Sequence, residues 1–157
     1  MSLLWLLLHD AFWSALAALG FAILFNVPMR TLPACALGGA LGHVTRTLCI
    51  QMIGLSPTSA TVFGATVVGF FGHYAAQRWQ APSTVFTVPG VIPMVPGSLA
   101  FQTMMDVIRI SESGPIVGKI MLAETAVNAL RTGLILAGLA VGVIAPRLMF
   151  FRQRPLF

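Results

Sequence analysis

Charge is what this chain has least of. Only 8% of its 157 residues are charged and just four are acidic, where soluble domains carry about 25% charged residues. A soluble fold needs a polar surface that this sequence does not supply. With 57% hydrophobic residues and a mean hydropathy of +0.91, the composition describes an all-α integral membrane protein, and the length one membrane domain. Cysteine is also scarce. Cys35 and Cys49 fall in one predicted helix, roughly 21 Å apart at the helical rise, beyond disulfide reach; both read as small packing residues. Catalytic patterns are missing too. There is no serine–histidine–acid motif, no paired histidine or cysteine spacing for a metal and no phosphate-loop glycine pattern, so the reading is not an enzyme, with no metal and no cofactor. The net charge of +5 comes from single scattered basic residues, with Arg147, Arg152 and Arg154 gathered at the end. Nucleic acid would want a dense basic face. A basic end is a topology signal or a contact with anionic lipid.

What is there is a series of apolar runs. About 20 residues cross a bilayer as a helix, and the runs Leu3 to Phe25, Thr31 to Ile53, Ser59 to Trp79, Pro82 to Arg109 and Ile116 to Ala145 predict five spans. Pro146 is expected to end the last one, leaving 1–146 as a transmembrane bundle and 147–157 as a basic cytoplasmic tail. The first run lacks a basic n-region and extends past any cleavage point, so it reads as a retained helix. With five spans, Arg30, Arg78 and the three terminal arginines share one side, and only Arg109 and Lys119 fall on the other. The excess of basic residues places that first side in the cytoplasm and the N-terminus outside. Small residues four apart (Gly38 and Gly42, Ala60 and Gly64, Ala65 and Gly69, Gly138 and Gly142) predict close helix packing, within the chain or to a partner, a second copy of the chain (a homo-oligomer) included.

The fourth run contains VPGVIPMVPG, residues 88–97. Pro89, Pro93 and Pro96 each remove a backbone donor and clash with the preceding turn, so a break is expected there. Unpaired backbone is tolerated at membrane depth only inside protein or beside a polar cavity, and transporters use such breaks to bind substrates. A half-helix capped by Ser98 would present amides beside Gly90 and Gly97. The alternative is a proline-rich surface loop, or a re-entrant one.

Ionisable residues inside spans are costly and mark functional candidates. Arg46 stands out, because a buried guanidinium needs an anion, either a substrate carboxylate or a protein carboxylate such as Asp106 or Glu124. His43, three residues before it, shares its helix face and titrates in the range useful for proton coupling. Asn128 and Arg131 follow Glu124 as a polar stripe, and His73 lies in the third span. Asp106, Glu124 and His73 are the proton-relay or ion-pair candidates. His9 and Asp10 read as solvated groups near an interface.

The segments Phe25-Asn26-Val27-Pro28-Met29-Arg30, Gly38-Gly39-Ala40-Leu41-Gly42-His43 and Val85 to Gly97 resemble the threonine/serine exporter family, in particular the small component of its split, two-component form. The resemblance covers nearly the whole chain. It implies an inner-membrane exporter of small carboxylates, either a succinate-like dicarboxylate or threonine and serine, working with a larger membrane subunit. The rival reading is a scaffold subunit whose partner alone carries the substrate.

Overall fold

The computed structural model describes residues 3–112 and 115–150. Among them are six α-helices and no strand: α1 (Leu3–Leu24), α2 (Leu32–Ile53), α3 (Pro57–Trp79), α4 (Thr84–Val91), α5 (Gly97–Glu112) and α6 (Pro115–Phe150), with 3-10 turns at Met29–Thr31 and Ile92–Met94. The ends follow local chemistry. Asn26 takes a left-handed φ of 55° after α1. Gly54, at φ 70°, closes α2 by donating to the carbonyls of Cys49 and Ile50, the usual glycine stop. Ser56 caps α3, its hydroxyl accepting from Ser59 N, with Pro57 at the first position, where a missing donor is harmless.

Helix α2 lies between α1 and α3, α6 packs on α3, α4 fits against α2 and α3, and α5 packs on α6. Two segments, Leu3–Leu24 and Met121–Met149, are long and apolar enough by themselves to cross a membrane; α4 with its turn and α5 form a third if that bent pair is one span. Helices α2 and α3 have the length, at 22 and 23 residues, but not the apolarity. They are the inner helices, and their buried faces are mostly glycine and alanine, with Cys35 and Cys49 on α2 and Thr61 and Val68 on α3, rather than leucine. A helix shielded by its neighbours does not need a lipid-like surface.

Close approach explains the small residues. A Cβ on Gly64 would lie 2.7 Å from the Gly42 carbonyl oxygen, and one on Gly142 would lie 2.6 Å from Ala65 Cβ. Into these grooves α4 and its turn insert Phe86 and Met94, the largest fully buried side chains. Phe86 joins Ala22, Ala34, Cys35 and Ala75; Met94 joins Ala65, Val68 and Leu139.

The break lies later than the prolines alone suggest. Pro89 sits inside α4, because the carbonyl it leaves without a helical donor, that of Val85, accepts from Cys35 Sγ at 3.4 Å. Pro93 falls in the 3-10 turn, and the chain then bends by 59° before α5. Ser98 is not the cap. Helix α5 opens at Gly97, its first carbonyl being that of Pro96, which accepts from Ala100 N. Nor does Pro146 end α6, which continues to Phe150. Pro146 is fully buried against Gly69, where the carbonyl of Gly142 that it deprives of a donor also lies. Arg147 therefore belongs to the helix, while Arg152 and Arg154 lie outside the described residues.

Candidate functional site

Register brings one polar cluster together. Helices α1 and α2 are antiparallel and close, Gly39 lying against Ser14 and Ala18. One to two turns further along, Asp10 of α1 reaches α2. Its Oδ2 accepts from Thr47 Oγ1 at 2.6 Å and lies 3.6 Å from His43 Nδ1. That second distance is too long for a hydrogen bond, and His43 Nδ1 is buried with no hydrogen-bond partner among the described residues. Arg46 Nε is in the same condition. Asp10 is the carboxylate within electrostatic reach of Arg46 and His43.

The same level of the bundle holds the end of the broken segment. Met94 Sδ would lie 3.0 Å from a Cβ on Gly64, Met94 Cε 3.0 Å from one on Gly42, and Arg46 Cβ 3.4 Å from the one on Gly64. Arg46 thus stands one helical turn beyond the point where the Ile92–Met94 turn wedges between α2 and α3. A cation with an unused donor, a histidine and a single carboxylate can together hold a small anion and pass a proton. Asp10 is the member that the sequence reading set aside. Its partner residue lies 37 positions away, and only the α1–α2 register reveals the pairing.

The other expected site residues fall elsewhere. Gly90 packs against Gly38 and Gly39 on α2 and Val68 on α3. Gly97 and Ser98 are exposed, with nothing near Gly97. Asp106 pairs with Arg109 at 3.8 Å, three residues on. Glu124, Asn128 and Arg131 line a groove of about 420 Å³ on one face of α6; Glu124 and Arg131 are exposed. The carboxylate facing Arg46 is therefore Asp10, in place of the Asp106 or Glu124 expected from sequence. His73, whose Nε2 bonds with Gln77 at 3.1 Å, lines a separate cleft of about 620 Å³ with Gln80, Ser83, Thr84 and Arg147. No group of three or more metal-binding side chains occurs among the described residues.

Comparison with known proteins places these features. A family model described as "Threonine/Serine exporter, ThrE" matches residues 10–149. A Haemophilus influenzae protein, described only as uncharacterised, is 38% identical over 149 residues, which is 95% of this chain and 49% of that one. The chain thus spans about half the length of this relative. No solved structure matches.

Proposed function

Because the chain belongs to the threonine/serine exporter family, a family of membrane transporters rather than of enzymes, we propose that it is a subunit of an inner-membrane exporter of small carboxylates. In this reading the chain crosses the membrane five times, with α4, its turn and α5 as the broken fourth crossing. Its N-terminus lies outside and its C-terminus in the cytoplasm. The observation that carries the reading is the buried, unpartnered Arg46 Nε beside Asp10 and His43, next to the break at Met94. Arg46 binds the substrate carboxylate, as a desolvated guanidinium favours a carboxylate partner. His43 takes up and releases the proton that drives export, with Asp10 holding it through its charge. Asp10 also offers the ammonium of threonine or serine an anion; a succinate-like dicarboxylate would instead need a second cation.

The partner is a larger membrane subunit. The half-length match to the longer relative supports this, as does the charged, exposed face of α6. That face also favours the rival scaffold reading, in which docking is this chain's whole role. The test is efflux of succinate and of threonine from preloaded cells lacking their own exporters and expressing this chain, the larger subunit, or both. Efflux of one substrate only when both are present supports the exporter and names its substrate. Equal efflux from the larger subunit alone would leave this chain a scaffold.

A further inference from the structure

Helices α1, α2 and α3 alternate in direction through short turns, so the α1–α2 turn and the end of α3 share one end of the bundle. Helix α6 runs parallel to α3, since Gly138 meets Thr58 and Pro146 meets Gly69, and its final turn reaches the same end. Arg30, Arg78 and Arg147 therefore gather there, and all three are exposed. All four acidic side chains of the chain lie elsewhere. Asp10 is roughly 21 Å down α1 from Leu24, and Glu124 roughly 34 Å down α6 from Arg147, at the helical rise; Asp106 and Glu112 are on α5. Among the described residues the end is cationic, with no acidic side chain beside it.

A cleft of the structure opens at this end. It holds about 620 Å³ and its polar lining is Arg147, His73, Gln77, Gln80, Ser83 and Thr84. Among the described residues the set is one fixed cation, an imidazole, two amides and two hydroxyls, with no carboxylate. Neutral donors around a guanidinium suit the several acceptor oxygens of a phosphate. Beside the cleft, Arg78 lies 5.9 Å over the ring of Trp79, and tryptophan and arginine at a helix end mark a membrane–water boundary. Basic clefts between helices at that boundary are suited to anionic headgroups.

We propose that this cleft is a phosphate-binding site, filled by the headgroup of an anionic phospholipid or by a free phosphate ion. Arg147 supplies the charge-assisted bonds, and Ser83, Thr84 and Gln80 complete the cradle. The site is separate from the Arg46 cluster, which lies deeper along α2.

The test uses the full chain purified in neutral detergent. Native mass spectrometry counts adducts with phosphatidylglycerol and with phosphatidylcholine, and a parallel titration uses inorganic phosphate alone. The expected result is one retained phosphatidylglycerol, with a loss of about tenfold in Arg147→Gln, the size of one charge-assisted contact. Arg147→Lys should recover part of it, and Arg109→Gln, on α5, should change nothing. Phosphate binding without lipid that is also lost in Arg147→Gln would support the site and give the free ion as its source. Equal retention of phosphatidylcholine, or adducts unchanged in Arg147→Gln, would overturn the proposal. Arg147 is exposed, so its replacement leaves the fold intact.

Discussion

Two regions of the molecule are built on different terms. Helices α1 to α4, with α6 from about Gly138 onward, form a block in which helices touch through glycine and alanine. A Cβ on Gly39 would lie 2.6 Å from Ala18 Cβ. Helix α5 and the earlier part of α6 form the other region. As Gly138 meets Thr58 near the start of α3, the residues before it run past the end of that helix. Helix α5 has no buried residue, and nothing lies within 4 Å of a Cβ on Gly97 or Gly133. Both regions expose apolar side chains, but α1 exposes leucine and phenylalanine in a span with a single acidic residue, as a lipid-facing helix should. The second region mixes exposed Phe101, Met104, Leu122 and Leu130 with exposed Arg109, Glu124 and Arg131. Lipid serves the first surface; the second needs protein or water on it. The packed block holds the candidate site, and in the proposed exporter the projecting pair is the surface offered to the larger subunit.

The largest effect should come from overpacking the block. Gly142→Leu forces a side chain into Ala65 and the Val62 carbonyl, and should cost about 2–3 kcal/mol, read as a lower melting temperature and faster thiol labelling of buried Cys35 and Cys49 in detergent. Next is Asp10→Ala. It removes the acceptor of Thr47 and the carboxylate facing His43 and Arg46, and should cost about 1–3 kcal/mol in the same melt. In the projecting region the signs differ. Gly133→Ala should be neutral or stabilising by up to about 1 kcal/mol, the helix-propensity gain at an open position; a loss there as large as that of Gly142→Leu would break the contrast. Smallest is Asp106→Ala. Its partner Arg109 is 64% exposed, and such a pair is worth about 0.5 kcal/mol or less. A paired change, Leu130→Asp with Arg131→Glu, sharpens the contrast by function: it should leave the melt of the isolated chain almost unmoved, yet abolish co-purification with the larger subunit.

The sequence disclosed α1 and the long α6 through uninterrupted apolar runs of bilayer length, and the less apolar α2 and α3 through the proline and glycine turns that bound them. It singled out Arg46 and His43 as candidates, because charge within a predicted span is conspicuous. It did not disclose Asp10, which near a helix end looks solvated until the register of α1 on α2 is known. The break at residues 95–96 was displaced from Pro89 by a tertiary detail, the Cys35 thiol that satisfies the Val85 carbonyl. Pro146 failed as a terminator for a related reason: the glycine at position 69 lets its ring pack flush against α3. Proline rules describe an isolated helix, and a neighbouring helix can supply what the proline removes.

The most direct test of the account is efflux per assembled complex in Arg46→Ala, measured on the same membranes as co-purification with the larger subunit. The account predicts normal assembly and efflux of the carboxylate substrate reduced to background. Unchanged efflux per complex would contradict it, removing Arg46 from the transport path and leaving the cluster with Asp10 and His43 a structural contact.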